Sequence, residues 1–221
     1  MPRIARSIIE GLPHHVTQRG SRRQRVFFSA ADRRRYLAWL REYAETYDLE
    51  VWSYCLMTNH LHLVVVPGKV DAISRGLHAL HARYARRVNA DRGWTGHLWQ
   101  GRFFSAPLEA EYACAAIRYV ERNPVRCGLI KRAEAYPWSS AAFHVGRRAD
   151  RVINASGIWG AAVEGWANEL RGTEEESALQ LLRERTQRGF PCGSEGFVAR
   201  IGQATGRDLT IRPRGRPRKQ I

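Results

Sequence analysis

The chain has 221 residues, and 44% of them are apolar, which is enough to build a hydrophobic core in one domain with extensions. Its formal net charge of +15 indicates a polyanionic partner, with nucleic acid ahead of an anionic membrane surface. No stretch approaches the ~18 apolar residues of a membrane span, which excludes a predicted transmembrane helix.

Arginine dominates the positive charge, since only three of the 36 basic residues are lysine. Arginine suits bidentate contacts to phosphate and guanine, although a GC-rich genome produces the same bias without any functional cause. The four cysteines include no C-x-x-C pair, which argues against a zinc knuckle and indicates reduced thiols. The first residues contain no long apolar run, so a cytoplasmic protein without a signal peptide is expected.

The first part of the chain predicts a strand, a helix and two further strands. A short strand is expected at His15–Gln18. Ser29 is expected to cap a helix that runs to about residue 47, with Asp32 completing a capping box. Alternation then predicts two adjacent strands, Glu50–Leu56 and Leu61–Val66.

The next elements complete a recognisable order. A helix is predicted at Asp71–Asn89, followed by a strand within Leu98–Leu108 that is broken near Gly101. A further helix is predicted at Glu109–Asn123, ended by Pro124. The first six elements have the order βαββαβ, which predicts an α+β, ferredoxin-like sandwich with helices on one face of an antiparallel sheet.

The chain changes character after about residue 146. The sequence predicts a catalytic domain at 1–146, a helical extension at 147–206 and a basic, disordered tail at 207–221. Two helices are expected in the extension, at Thr173–Gln187 and Ser194–Ala204.

Two histidines, His60 and His62, fall at the start of the second of the adjacent strands. Side chains at i and i+2 point to the same face of a strand, so the two imidazoles can share one metal ion. Leu61, Leu63 and Val65 then point to the opposite, buried face. The pair is weak evidence alone, because histidines two residues apart are frequent by chance.

A tyrosine on the last predicted helix of this domain, Tyr119, lies one turn before Asn123, so both side chains share a helix face. Arg118, Arg122 and Arg126 surround the tyrosine with positive charge that suits a phosphate. A tyrosine hydroxyl, with a reference pKa of ~10, needs a metal or a basic group to attack a phosphate at neutral pH. Taken alone, a helix tyrosine is more often a residue at the edge of the core.

Together, these motifs resemble those of the IS200/IS605-type single-tyrosine transposases. The segment Met57–His62 resembles their HUH motif, and Arg118–Leu129 resembles the tyrosine helix of the REP-associated tyrosine transposases. Further stretches that resemble this subfamily are Val16–Gly20 with Val26-Phe27, Leu98–Phe103 and Tyr136–Ser140. The resemblance covers roughly residues 10–145.

The resemblance implies a HUH-fold enzyme with one divalent ion, Mg²⁺ or Mn²⁺, bound by His60, His62 and Asn123. It implies that Tyr119 attacks a phosphate of single-stranded DNA, leaving a 5′-phosphotyrosine link and a free 3′-OH, and that a second 3′-OH rejoins the strand. The implied substrate is a REP-type hairpin, a short imperfect palindrome repeated in bacterial genomes. The implied location is the bacterial cytoplasm, in association with the nucleoid.

Arginines on and after the first turn are expected to hold the hairpin stem. Arg214 and Arg216 belong to a Pro-Arg-Gly-Arg-Pro segment that resembles an AT-hook, whose guanidinium groups enter a narrow minor groove. A generic basic tail without sequence preference is the alternative. The residues expected to contact DNA are Arg19, Gly20, Arg22, Arg23, Arg102, Arg118, Arg122, Arg126, Arg214 and Arg216.

Other functions account for parts of the sequence. A DNA-binding protein without catalysis explains the charge, but leaves the histidines and Tyr119 unexplained. A replication initiator or relaxase shares the two histidines, but relaxases usually carry their tyrosine near the N-terminus. An RNA-binding ferredoxin-like module requires exposed aromatic residues on the sheet, whereas Trp52 and Tyr54 are expected in the core. A monomer is favoured over a homodimer, since REP-associated relatives act as single chains and IS200-type relatives exchange the tyrosine helix.

Overall fold

The computed structural model describes residues 7–209. Four strands form one sheet in the order β2-β3-β1-β4, and each neighbouring pair is antiparallel. The strands are β1 at His14–Arg19, β2 at Leu49–Leu56, β3 at His60–Pro67 and β4 at Phe104–Pro107. The predicted α+β, ferredoxin-like architecture is confirmed, and both histidines of the predicted metal pair lie on the central strand β3.

The fourth strand is shorter than the predicted segment at 98–108. Gly101 has a φ of +146°, a conformation that favours glycine, and Trp99 pairs with Gly20 only through an isolated bridge. The predicted break near Gly101 is therefore confirmed, and regular pairing begins at Phe104.

Two helices cover one face of the sheet, α1 at Ala30–Thr46 and α2 at Ala72–Arg92. The capping box at the start of α1 is confirmed, because the Asp32 amide donates to Ser29 Oγ and the Ser29 amide donates to the Asp32 carboxylate. The core under these helices is apolar, as the spacing predicted. Its members from α2 and β3 include Ile73, Leu77, Leu80, Tyr84, Val88, Leu61, Leu63 and Val65.

The opposite face of the sheet is also covered. Helix α3, at Ala110–Glu121, lies against β2 and β3, and helix α7, at Glu176–Arg188, lies against β4 and β1. The sheet is apolar on this side too, where Cys55, Val64 and Ala106 join the core. The sheet therefore lies between two helical layers, and the side chains of His60 and His62 belong to the face that α3 covers.

The helix that carries Tyr119 ends earlier than predicted. Helix α3 ends at Glu121, and Asn123–Arg126 form a separate short helix, α4, with Pro124 in its first turn. Proline lacks a backbone N–H, but the first turn of a helix needs none. The prediction that Pro124 ends the helix at Asn123 is therefore wrong, because Pro124 lies within a second helical turn.

The chain after α4 packs onto the tyrosine helix. Trp159, Trp166 and Leu182 share one hydrophobic cluster with Ile117 and Val120 of α3. Two short helices follow α4, α5 at Ala141–His144 and α6 at Trp166–Glu169. The predicted helices of the extension are found as α7 and as α8, which spans Glu195–Thr205, and Ser194 caps α8 by accepting from the Phe197 amide.

The predicted boundary at 146/147 and the predicted tail stay predictions. Leu209, close to the start of that tail, is buried against Phe197 and Ile201 of α8. Arg214 and Arg216 lie outside the described residues. No helix within residues 7–209 is long and apolar enough to cross a membrane.

A buried carboxylate joins the extension to the end of α3. Glu121 is fully buried, and its side chain accepts hydrogen bonds from Ser140 Oγ and from Trp166 Nε1 at 2.7 Å. His144 Nδ1 lies 2.6 Å from the same carboxylate. Burial opposes protonation of His144. The hydrogen bond to Glu121 and the negative charge of that carboxylate outweigh the effect of burial and raise the pKa of His144.

Replacing Glu121 with glutamine should destabilise the protein, because it leaves a buried His144 without its counter-charge. Removing one partner of a buried ion pair costs about 3–5 kcal/mol, which corresponds to a melting temperature lower by roughly 6–20 °C at this size. A raised pKa stabilises the fold below the unfolded value, ~6.5, and this contribution is lost as the pH rises through the folded value. Calorimetry should therefore find that the difference in melting temperature between the wild type and Glu121→Gln becomes smaller above neutral pH.

The exposed Glu164 offers the control for this variant, since Glu164→Gln removes the same charge from the surface. A Glu121→Gln melting temperature equal to that of Glu164→Gln would contradict the assignment of a stabilising buried pair.

Candidate active site

The two histidines of β3 occupy adjacent positions on one face of the sheet. Their ring centroids lie 5.1 Å apart, and the rings are nearly perpendicular. His62 is opposite Thr17 on β1 and Cys55 on β2, so the pair sits over the middle of the sheet. The prediction that alternation directs both imidazoles to one side is confirmed.

Each imidazole has one ring nitrogen held by a protein partner. His60 Nδ1 lies 2.6 Å from Asn59 Oδ1, and His62 Nδ1 lies 2.9 Å from His15 Nε2. Burial lowers the pKa of His60 to about 4 and also lowers the pKa of His62. Both rings are therefore neutral at neutral pH, and the Nδ1 atom of each is already engaged by a protein partner.

Asn123 closes one side of this pair. It is buried at the start of α4, and its side chain lies within hydrogen-bonding reach of His60. Its Nδ2 atom is buried without a hydrogen-bond partner. A buried N–H donor without a partner is costly in a folded protein, and an acceptor such as a phosphate oxygen would satisfy it.

Tyr119 lies beside the same histidines. Its ring meets His62 edge-on, with centroids 5.4 Å apart, and meets His15 in the same way at 5.5 Å. Arg126 lies over the ring, 4.2 Å from its centroid, and Arg183 of α7 lies within hydrogen-bonding reach of the hydroxyl. The residues predicted as nucleophile and metal ligands are thus brought together in one chain.

Three residues of this site were not predicted from the sequence: His15, Thr186 and Arg183. His15 Nδ1 lies 2.7 Å from Thr186 Oγ1 on α7, and His15 Nε2 contacts His62. A signal for His15 existed, since it lies on the predicted strand that neighbours β3 in a ferredoxin-like sheet. No local pattern distinguishes Thr186 or Arg183 from other residues of an amphipathic helix.

The arginines predicted to bind DNA fall into two groups. Arg19, Arg22, Arg23 and Arg102 form no side-chain hydrogen bond or ion pair with other described residues. Arg22 and Arg23 have positive φ angles of 51° and 62°, and both side chains are exposed. This turn therefore presents uncompensated positive charge to the solvent.

The second group is already paired with the extension. Arg118 lies 2.9 Å from Glu169, and both Arg122 and Arg126 contact Glu174, at 3.0 and 2.7 Å. These bonds attach the segment around Glu174 to the tyrosine helix. Contact of these three arginines with DNA stays a prediction, and it requires phosphates to compete with those carboxylates.

Gly20 has a structural reason to be glycine. A Cβ atom there would lie 2.3 Å from the Gln24 carbonyl oxygen, and the Gly20 amide donates to Asn59 at 2.9 Å. This hydrogen bond engages the Gly20 amide. It holds the turn with Arg22 and Arg23 beside Asn59, the residue before His60. Its contact with DNA stays a prediction.

The donor set is compatible with a hard divalent ion. Within residues 7–209, no group of three or more His, Cys, Asp or Glu side chains could hold a metal. Two imidazoles and one amide make an incomplete set, which leaves positions for water and phosphate oxygens, as Mg²⁺ and Mn²⁺ require. The same set lacks the thiolates or third imidazole of a closed zinc site.

A family model described as IS200-like transposase matches residues 9–123, from the segment before β1 to the predicted metal ligand Asn123. The residues after Asn123, which include the extension, lie outside this match. No curated protein matches the chain.

Solved structures with a similar fold include that of a REP-associated tyrosine transposase bound to a REP hairpin. It has 19% sequence identity and a TM-score of 0.55, and the similarity covers 72% of this chain and 93% of that one. A protein from Deinococcus radiodurans R1, described as a candidate transposase, has 22% identity and a TM-score of 0.37 over 55% of this chain and 97% of its own. The first structure, at 19% identity, supports the fold of this chain. The TM-score of the second structure is too low to support a shared fold.

Proposed function

Because the chain belongs to the IS200-like transposase family, we propose that it cleaves and rejoins single-stranded DNA in a reaction that depends on one Mg²⁺ or Mn²⁺ ion. The observation that carries the proposal is the meeting of Tyr119 with His62, and of His60 with Asn123, on one face of the sheet. A tyrosine with a purely structural role does not account for two neutral imidazoles and an unsatisfied amide beside it.

The residues that would hold the ion are His60, His62 and Asn123. In this arrangement His60 Nδ1 donates to Asn59 Oδ1 and His62 Nδ1 donates to His15 Nε2, so the ion would be bound through the two Nε2 atoms. Asn123 would bind through its Oδ1 atom, because amide oxygens are ligands for Mg²⁺ and Mn²⁺, and its unsatisfied Nδ2 atom is left to donate to a phosphate oxygen or water. When bound, the ion supplies Lewis-acid polarisation of the scissile phosphate.

Tyr119 is the proposed nucleophile. Its Oη atom forms a bond to phosphorus while the bond from phosphorus to the 3′ oxygen breaks, and the proton of the tyrosine hydroxyl ends on that leaving oxygen. The product is a 5′-phosphotyrosine link, and attack by a 3′-OH on this link restores both the DNA strand and the tyrosine hydroxyl. The number of phosphoester bonds is unchanged, so no ATP is required.

Two arginines are positioned to assist this step. Arg183 lies within hydrogen-bonding reach of the Tyr119 hydroxyl, where a cation stabilises the negative charge that develops on the attacking oxygen. Arg126 lies over the tyrosine ring and donates to the Tyr119 carbonyl oxygen at 2.6 Å, which restrains the ring and the backbone of the nucleophile.

The proposed substrate is a single-stranded DNA hairpin of the REP type. The solved relative with the same fold is bound to such a hairpin. In this chain, the exposed turn with Arg22 and Arg23 is fastened to Asn59, directly before His60, since Asn59 Nδ2 donates to the Arg23 carbonyl oxygen at 3.1 Å. A hairpin stem held by this turn would enter the site beside the histidines.

The test is a covalent-adduct assay. A labelled single-stranded hairpin is incubated with the protein and Mn²⁺, and the products are separated on a denaturing gel. A protein–DNA band that depends on Mn²⁺, together with a shortened DNA strand, is expected. Binding without any adduct, on hairpins taken from the DNA that flanks the gene, would favour a DNA-binding protein without catalysis.

We also infer that one chain holds a complete site. Tyr119 and the two histidines come from the same chain, and α3 packs against its own sheet. A monomer is therefore the active species in this proposal, in contrast to a dimer that exchanges tyrosine helices.

The basic tail adds a separate prediction. Deleting residues 212–221 should weaken DNA binding, and the slope of log affinity against log salt should fall by about 0.7–0.9 for each lost phosphate contact. Titrations of a fluorescent hairpin at several salt concentrations measure this slope. An unchanged slope would exclude a role for Arg214 and Arg216 in DNA contact.

A further inference from the structure

A chain of three buried polar side chains links the extension to His62. Thr186 on α7 lies 2.7 Å from His15 Nδ1, and His15 Nε2 lies 2.9 Å from His62 Nδ1. Thr186 and His15 are each 1% exposed, and His62 is 6% exposed. Because water has little access to these atoms, their hydrogen-bonding groups must find partners within the protein.

We propose that His15 and Thr186 are positioning residues that hold His62 in the orientation and tautomer that a metal ion requires. This inference rests on the proposed function, in which His62 is a metal ligand. Neither residue contacts DNA or the ion in the proposal, and both act through the His62 ring.

Because its Nδ1 atom is engaged by His15, His62 can bind an ion only through its Nε2 atom. An imidazole that binds a metal through Nε2 must carry its proton on Nδ1, and that proton is donated to His15 Nε2. His15 must then carry its own proton on Nδ1 and donate it to Thr186 Oγ1. The threonine hydroxyl is the acceptor that makes this arrangement complete.

Without that hydroxyl, the arrangement loses its last acceptor. The proton on His15 Nδ1 would remain buried and unpaired, which is costly. Moving the proton to His15 Nε2 avoids this cost, but it reverses the bond to His62 and places the His62 proton on Nε2. In that tautomer, His62 cannot bind a metal.

The orientation of the rings supports the same role. The imidazoles of His15 and His62 are nearly parallel, with 3° between their planes, whereas His60 is nearly perpendicular to His62. His15 lies on β1, the strand that pairs with β3, so both rings project from a rigid central pair. The partner that fixes His15 comes from α7, beyond the part of the chain that matches the transposase family.

Thr186→Val and Thr186→Ser test the proposal as a matched pair. Valine keeps the shape of threonine and removes the hydroxyl, whereas serine keeps the hydroxyl. Loss of an outer hydrogen-bond partner of a metal-binding histidine typically costs ~10–100-fold in metal affinity. Titration with Mn²⁺ alone, followed by electron paramagnetic resonance of the free ion, should show this loss for Thr186→Val and near wild-type affinity for Thr186→Ser.

A second variant and a second readout make the test independent of activity. His15→Phe should weaken Mn²⁺ binding as Thr186→Val does. Nitrogen NMR of the imidazoles should show the His62 proton on Nδ1 in the wild type and at least partly on Nε2 in Thr186→Val. Thermal melts identify any variant that has lost its fold.

His62→Ala separates failure of this proposal from failure of the proposed function. If His62→Ala loses Mn²⁺ binding while Thr186→Val and His15→Phe bind as the wild type does, the positioning role is overturned and the metal ligand stands. If His62→Ala binds Mn²⁺ as the wild type does, or if the wild type binds none, both the ligand assignment and the positioning role are overturned.

Discussion

Tyr119→Phe is expected to abolish the covalent protein–DNA adduct while leaving hairpin binding within about twofold of the wild type. The variant removes one oxygen atom and keeps the ring that contacts His62, His15 and Arg126. Without that oxygen, the proposed reaction has no nucleophile, and loss of a nucleophile lowers the rate by roughly four orders of magnitude or more. Denaturing gels measure the adduct, and a fluorescence titration measures the binding.

Tyr112 offers the matched control, because it lies on the same helix and is also partly buried. Tyr112→Phe should form the adduct at the wild-type rate. A covalent adduct that persists in Tyr119→Phe would show that another residue attacks the DNA, and the assignment of Tyr119 would then be wrong.

His62→Ala is expected to remove metal-dependent cleavage while the protein still binds the hairpin. The variant deletes one of the two imidazoles proposed to bind the ion and leaves His15 without its partner. Because a change in an outer partner already costs ~10–100-fold, the loss of a direct ligand should exceed ~100-fold at limiting Mn²⁺. Initial rates of cleavage at several Mn²⁺ concentrations measure the effect.

His78→Ala is the control for this variant, since His78 is an exposed histidine of α2, on the other side of the sheet. It should cleave as the wild type does at every Mn²⁺ concentration. Undiminished cleavage by His62→Ala at limiting Mn²⁺ would rule out a role for His62 as a ligand.

Much of the fold was predictable because the informative patterns are local. Alternation along β3 separates Leu61 and Leu63 from His60 and His62, and the structure places the two sets on opposite faces of the sheet. The capping box at Ser29 was readable for the same reason. The contact of α7 with the sheet was not predicted, because it depends on packing between segments that are distant in the sequence.

The site was predictable only in part. The residues His60, His62, Tyr119 and Asn123 belong to two short motifs, and they were identified by their spacing together with the resemblance of both motifs to those of single-tyrosine transposases. His15 and Thr186 are 171 residues apart, and their contact exists only after α7 packs against β1 and β4. Local sequence patterns cannot predict a contact of this kind.

The arginines illustrate the same limit. By composition, Arg22 and Arg122 are equivalent sources of positive charge. In the folded chain, Arg122 is paired with Glu174, about 50 residues later, whereas Arg22 lies on an exposed turn without an ionic partner among the described residues. Net charge therefore predicts a nucleic-acid partner, but only the tertiary structure tells which arginines are free to contact it.

Mass spectrometry of the trapped adduct, after protease and nuclease digestion, tests the proposed phosphotyrosine bond between Tyr119 and DNA. The nucleotide mass should be found on the peptide that contains Tyr119, at that residue. A nucleotide on Tyr112 or any other residue, or cleaved DNA with no modified peptide, would contradict it.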